Sequence, residues 1–180
     1  HMFEEAVIFA TKAHAGQKRK GTDIPFIIHP LEVASIVAAM THDEQMITAA
    51  VLHDVLEDCS HISRNDILQA FGKRVTALVA QESEDKSKSW VERKGRTIEF
   101  LKKEASRNAK IIALGDKLAN IRSMARDYEE IGDELWNRFN MKDKDMQAWY
   151  YRGLIAGFEE LKEYREYREY CDLVRQVFGE

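Results

Sequence analysis

An apolar segment that ends in one histidine and three carboxylates, residues 49–58, carries the most chemistry. His53 and Glu57 are four residues apart, as are Asp54 and Asp58, so each pair would lie on one side of a predicted helix. Burying these carboxylates unpaired would cost several kcal/mol, and a divalent cation would compensate their charge. The segment therefore predicts a metal site. The alternative is an exposed, charged end of a helix.

Two further residues could complete such a site. Asp116 follows the apolar residues 111–114 in a helical pattern, and Asn120 lies one turn later on the same face. His29 directly precedes Pro30. Each has a simpler interpretation, because single polar residues on helices are usually solvated and a lone histidine is usually a cap or a packed ring. Histidine together with aspartate is nevertheless a workable ligand set for a divalent metal.

A basic loop follows the first predicted helix. Lys18, Arg19 and Lys20 stand between Gly16 and Gly21. Such a loop could hold phosphates or stack on a nucleobase. A solvated basic turn is the alternative interpretation.

The elements that position these residues are predicted to be helices almost throughout. Apolar residues recur at helical spacing and no segment alternates as a strand would, so we expect eight to ten helices and no sheet. The predicted helices include residues 3–14 and 107–124, with Pro30 in the first turn of another. Residues 83–89 are polar and are expected to be mobile. The aromatic C-terminal third is interpreted as a packing stripe, in the core or in a homo-oligomer interface.

Composition excludes several classes of protein. The 180 residues carry a net charge of −4 and are 44% hydrophobic, which predicts one globular domain without an overall charge suited to nucleic acid. No apolar run is long enough to span a membrane, and no signal peptide is recognisable. Two cysteines do not make a disulfide framework, so a cytoplasmic location is expected. We interpret residues 1–2 as a cloning remnant and residues 3–180 as a single domain.

Four motifs stand in a fixed order along the chain. They are His14-Ala-Gly-Gln17-Lys-Arg19, Pro25-Phe-Ile-Ile-His29-Pro30, His53-Asp54-Val-Leu-Glu57-Asp58 and Asp116-Lys-Leu-Ala-Asn120-Ile-Arg122. Together they resemble the HD-domain phosphohydrolases, and within them the hydrolase half of RelA/SpoT-type alarmone enzymes and the stand-alone small alarmone hydrolases. The resemblance covers about residues 3–160.

This resemblance implies a compact, all-α, multi-helix HD-domain fold and one divalent metal ion, typically Mn²⁺. The positions that match the metal ligands are His29, His53, Asp54 and Asp116. The implied reaction is the hydrolysis of guanosine 3′,5′-bis(diphosphate), abbreviated ppGpp, to GDP and pyrophosphate.

The resemblance also implies roles for residues around the metal. Glu57 and Asp58 match the acidic pair that positions and activates water. Arg19 matches the residue that packs on guanine, and Asn120 matches a nucleoside contact. The remaining candidates for substrate binding, on the basic rim and as partners of the phosphates, are Lys20, Lys86, Arg93 and Lys94.

Three positions depart from the pattern of these families. The loop between Arg19 and His29 is about one residue longer than usual, Ser123 stands where threonine or an acidic residue is often found, and Gly115 replaces a usual alanine. The first two bear on base selectivity. Two alternatives follow: a related phosphohydrolase acting on another nucleotide, such as an NADPH 2′-phosphatase or a nucleotidase, or a non-catalytic nucleotide sensor.

Overall fold

The structure is a computed structural model that describes all 180 residues, and it consists of helices. The nine α-helices are α1 (Met2–Ala13), α2 (Ile28–Met40), α3 (Glu44–Leu52), α4 (Val55–Asp58), α5 (Arg64–Gln81), α6 (Trp90–Lys103), α7 (Arg107–Ile131), α8 (Lys144–Gly157) and α9 (Arg165–Phe178). Two 3-10 helices cover Gly132–Arg138 and Glu159–Leu161. An isolated bridge between Lys18 and Pro25 is the only β-type pairing. The all-α prediction is confirmed.

Local sequence explains where several helices begin and bend. Ser63 caps α5 in a capping box with Asp66, in which each side chain accepts a hydrogen bond from the other residue's backbone N–H. Gly72 interrupts α5 with a φ of 89°, a conformation that glycine adopts without strain. Pro30 lies in the first turn of α2, as predicted.

The segment 49–58 differs from the single helix expected there. Helix α3 ends at Leu52, and α4 begins only at Val55. His53 and Asp54 form the turn between the two helices. The hydrophobic pattern alone does not reveal this break, because only one residue leaves the helical conformation: His53 has φ −60° and ψ −30°, whereas Asp54 has φ −93° and ψ −5°. The turn separates the two metal-ligand candidates from the acidic pair, which lies on α4.

Helix α7 is the longest element and packs against α2, α3 and α9. Its contact with α2 is close at Gly115. A Cβ atom added to Gly115 would lie 2.9 Å from Cγ2 of Val37 and 3.4 Å from the backbone oxygen of Val33. The absence of a side chain at Gly115 therefore lets α7 approach α2, and it brings Asp116 towards the start of α2.

The aromatic C-terminal region packs within the chain. The rings of Phe158 and Tyr170 meet edge to face at 5.5 Å, and both side chains are fully buried. The hydroxyl of Tyr170 donates to the backbone oxygen of Tyr151 on α8 at 2.6 Å. These residues of the packing stripe are thus part of the core, whereas Tyr164 and Tyr167 are half-buried against it. None of the helices combines the length and the hydrophobicity that crossing a membrane requires.

Candidate metal centre and active-site cleft

Two histidines and two aspartates meet where α2, the turn after α3 and the middle of α7 come together. The Nε2 atoms of His29 and His53 lie 2.8 and 3.1 Å from Oδ1 of Asp116. Oδ2 of Asp54 lies 3.0 Å from Nε2 of His53 and 3.7 Å from Nε2 of His29. One ligand atom from each residue falls within 4.8 Å of all the others. The structure thus brings together all four predicted metal ligands.

Both histidines direct their Nε2 atoms towards the cluster. Nδ1 of His53 lies 2.7 Å from the backbone oxygen of Ala50, and a carbonyl oxygen can only accept, so Nδ1 carries the proton in that bond. Nε2 of His53 is then free to bind a cation, a pattern typical of metal-ligating histidines. His29 is also buried, and its Nδ1 has no hydrogen-bond partner.

The charges and spacing of the cluster suit a cation. Burial alone would lower the pKa of His53, but Asp54 and Asp116 outweigh it and raise that pKa well above its usual value. The aspartates therefore favour positive charge at this point. Two ligands that each lie about 2.1 Å from an octahedral ion are about 3 Å apart, close to the shorter distances observed here. The donor set therefore fits one divalent metal ion.

The acidic pair lies on α4, beside this cluster. Burial, reinforced by the charge of Asp54, raises the pKa of Glu57 to about 7. The same two causes raise the pKa of Asp58, while Lys86 opposes them with an ion pair at 3.2 Å. Glu57 can therefore gain or lose a proton near neutral pH, which is what a general acid or base requires.

The two candidate nucleoside contacts meet across 101 residues of sequence. Nη2 of Arg19 lies 3.5 Å from Oδ1 of Asn120, so the basic loop touches α7 one turn beyond Asp116. The loop itself is fixed by a hydrogen bond from the backbone N–H of Arg19 to the oxygen of Ile24, at 2.9 Å. Arg138 also packs on this loop, so closely that a Cβ atom on Gly21 would clash with its Cγ and Cδ atoms.

The predicted basic residues all line the same cleft, whose volume is about 1690 Å³. Lys20 is at its rim, where partial desolvation lowers its pKa. Nζ of Lys86 lies 2.9 Å from the backbone oxygen of Glu57. Arg93 and Lys94 both contact the carboxylate of Glu84, at 3.2 and 3.0 Å. Each of the twelve residues predicted for the site lines this cleft.

Sequence reasoning missed three charged residues of the cleft. Lys117 pairs with the second carboxylate oxygen of Asp116 at 2.9 Å. Burial raises the pKa of Glu82 to about 8, and its buried Oε1 has no hydrogen-bond partner. The carboxylate of Glu84 pairs with the side chains of Arg93 and Lys94, and its backbone N–H donates to Glu57 on α4. Lys117 stands inside the fourth motif quoted above, whereas Glu82 and Glu84 lie outside all four motifs.

The fold is all-helical and brings two histidines and two aspartates together, with an acidic pair on the next helix. These features define a metal-dependent phosphohydrolase of the HD type. The sequence profile of the HD domain matches residues 6–140. The chain belongs to the HD-domain family.

Individual relatives narrow this assignment. The chain is 39% identical over 125 residues to the Drosophila melanogaster guanosine-3′,5′-bis(diphosphate) 3′-pyrophosphohydrolase MESH1, covering 68% of this chain and 69% of that protein. It is 34% identical over 128 residues to the Brucella ovis GTP pyrophosphokinase rsh, covering 68% of this chain but only 17% of the relative. A solved structure of a metazoan ortholog of SpoT, described as hydrolysing ppGpp, superposes with a TM-score of 0.84. That structure shows 27% identity over 99% of this chain and 97% of its own.

Proposed function

We propose that this protein is a metal-dependent ppGpp 3′-pyrophosphohydrolase, which converts ppGpp and water to GDP and pyrophosphate. One observation carries the proposal. A single cleft holds the four-residue cluster, the acidic pair and the contact between Arg19 and Asn120, in a chain similar to proteins named for this activity. A nucleotide held at Arg19 would therefore have its phosphates near the cluster.

We propose that His29, His53, Asp54 and Asp116 hold the metal, and that Mn²⁺ is the ion. Imidazole and carboxylate ligands together suit a divalent ion of this kind. When bound, the ion lowers the pKa of water and compensates the charge that develops on the phosphoryl group.

Glu57 is proposed as the base. Water attacks the phosphorus next to the ribose 3′-oxygen, the bond between that phosphorus and the oxygen breaks, and Glu57 accepts the proton that water loses. Its pKa of about 7 suits this exchange. Asp58, on the same turn and paired with Lys86, orients the water. The 3′-oxygen leaves as the hydroxyl of GDP by gaining a proton from the surrounding water, and Glu57 returns its proton to that water.

Substrate recognition is assigned to two groups of residues in the cleft. Arg19 stacks on guanine, because a planar guanidinium packs well on an aromatic ring, and Asn120 contacts the nucleoside and orients Arg19. The phosphates are drawn in by the positive potential of Lys20, Lys86, Arg93 and Lys94. This local potential offsets the negative net charge of the whole chain.

Two unpaired thiols, Cys59 and Cys171, and a nucleotide substrate are consistent with action in the cytoplasm. A homo-oligomer stays a prediction. The aromatic C-terminal residues that could form its interface are largely packed within the chain. On α9, Tyr167 and the neighbouring Cys171 are packed only partly against the core.

A substrate panel tests the proposal. Purified protein with Mn²⁺ is given ppGpp, NADPH and GMP, and the products are separated as phosphate, pyrophosphate and nucleotide. We expect pyrophosphate and GDP from ppGpp, and slower or no release of phosphate from the others. Preferential release of phosphate from NADPH would favour the alternative phosphohydrolase. Tight binding of ppGpp without turnover would favour a sensor.

A further inference from the structure

The carboxylate of Glu84 is held by three donors from a single helix. Nη1 of Arg93 lies 3.2 Å from Oε1, Nζ of Lys94 lies 3.0 and 3.2 Å from the two oxygens, and the hydroxyl of Thr97 lies 3.1 Å from Oε2. The Glu84 side chain is only 15% exposed. Although burial opposes it, the charge of Lys94 lowers the pKa of Glu84. Glu84 is therefore an ionised anchor that fixes the segment between α5 and α6.

The same residue contacts the acidic pair through its backbone. The N–H of Glu84 donates a hydrogen bond to Oε1 of Glu57. Two residues further on, Nζ of Lys86 donates to the backbone oxygen of Glu57 at 2.9 Å and pairs with Asp58. Residues 83–89, which were expected to be mobile, are thus bonded to both Glu57 and Asp58 on α4. A carboxylate with one oxygen held this way keeps the other free in a fixed direction.

We propose that Glu84 is a positioning residue for Glu57: helix α6, through Arg93, Lys94 and Thr97, fixes Glu84, and the backbone of Glu84 fixes the Glu57 carboxylate. The inference rests on the proposed role of Glu57 as the base. Glu84 itself touches no reacting atom. Arg93 and Lys94 serve catalysis through this anchor, in addition to their contribution to the potential of the cleft.

If Arg93 and Lys94 had a different role, removing the carboxylate of Glu84 would change the kinetics in a different way. If Arg93 and Lys94 bound substrate phosphates directly, Glu84 would compete with the substrate for them, and removing its carboxylate would lower KM. If Glu84 positions Glu57, its removal lowers kcat and leaves KM nearly unchanged, because the substrate contacts remain while the base is misplaced.

The test compares Glu84→Ala, Glu84→Gln and Thr97→Val with the wild type in Mn²⁺-dependent release of pyrophosphate from ppGpp. We expect kcat to fall at least about tenfold in Glu84→Ala with KM within about twofold. Glu84→Gln keeps acceptor oxygen but no charge, so its loss should be smaller, and Thr97→Val should lose least. A lower KM with unchanged kcat in Glu84→Ala would overturn the inference.

Glu160→Gln is the matched control, because Glu160 also faces one arginine and one lysine, Arg107 and Lys110, outside the cleft. Its kcat should equal that of the wild type. An equal fall in this variant would make the effect of Glu84 a general loss of stability and would overturn the inference.

A measurement without substrate separates this inference from the proposed function. Hydrogen exchange at the Glu84 amide should quicken in Glu57→Ala, which removes its acceptor, relative to the wild type. An unchanged exchange rate would contradict the contact even if ppGpp is cleaved. A wild type that leaves ppGpp intact would refute the proposed function, while quickened exchange would still support the anchoring of Glu57.

Discussion

Nε2 of His29 lies 2.8 Å from Oδ1 of Asp116, although 87 residues separate them in the chain. One residue is in the first turn of α2 and the other is in the middle of α7. Their meeting depends on close packing of these helices around Gly115, and it completes a site in which two imidazoles and two carboxylates converge. The proposed metal site therefore depends on the packing of α2 against α7.

Metal binding should stabilise the folded protein. At a Mn²⁺ concentration of about 100 times Kd, binding to the folded state alone adds about 2.7 kcal/mol, which raises Tm by about 5–10 °C for a chain of this size. Thermal unfolding in EDTA and in Mn²⁺ measures the shift. Asp116→Asn should abolish most of it. A wild type insensitive to Mn²⁺, or a variant with the same response, would contradict the assigned ligands.

The contact between Gly115 and Val37 should appear as coupling between the two positions. Gly115→Ala places a Cβ 2.9 Å from Cγ2 of Val37. The resulting strain costs about 1–3 kcal/mol, whereas the better helix propensity of alanine stabilises the helix by about 1 kcal/mol. Val37→Ala removes the contacted methyl group. In a double-mutant cycle measured by denaturant unfolding, Gly115→Ala should be less destabilising in the Val37→Ala background. Additive effects would mean that the helices adjust at no cost.

Glu57→Gln should lower kcat by about 10²–10⁴-fold while Mn²⁺ still binds, since the amide cannot accept a proton from water. In the wild type, kcat should rise with pH as Glu57 loses its proton, with a midpoint at about 7 or below it, because a bound cation favours the carboxylate. The pH profile of kcat, together with Mn²⁺ binding by calorimetry, checks both statements. An unchanged rate would remove Glu57 from the mechanism.

The same residue should make the metal-free protein sensitive to pH. The pKa of Glu57 is raised by burial from its ordinary value of 4.5 to about 7 in the folded state, so the folded protein binds the proton more tightly than the unfolded chain. Its stabilising contribution is complete below pH 4.5 and is lost as the pH rises through 7. In EDTA, Glu57→Gln should therefore gain Tm relative to the wild type between pH 5 and 8. A constant difference over that range would contradict the raised pKa.

Arg19→Ala should act on binding rather than on chemistry. Losing the stacked guanidinium should raise KM for ppGpp about tenfold with kcat little changed, and Arg19→Lys should not restore it, because lysine lacks the planar group. Lys12→Ala on α1, an exposed change of charge away from the cleft, serves as the control. A fall in kcat at constant KM would place Arg19 near the reacting phosphate instead.

Much of this arrangement could be predicted from sequence, because the informative residues break the local pattern. Asp54 and Asp116 are acids in apolar segments, and a buried cation explains both positions together. The break after Leu52 and the proposed role of Glu84 are not predictable from such patterns. The first is confined to a change of backbone dihedral angles at Asp54, which the hydrophobic pattern does not encode. The second depends on a backbone N–H, whose partner no side-chain pattern encodes, and on the tertiary contact between α6 and the preceding segment.

The site of bond cleavage tests the central claim most directly. Wild-type protein loaded with Mn²⁺ hydrolyses ppGpp in water enriched in ¹⁸O, and both products are analysed by mass spectrometry. Attack of water on the phosphorus next to the ribose 3′-oxygen predicts one ¹⁸O atom in pyrophosphate and none in GDP, with no product in EDTA and product from Glu57→Gln formed at least about a hundredfold more slowly. Label in GDP, labelled orthophosphate as the product, or release that persists without metal would contradict the proposed mechanism.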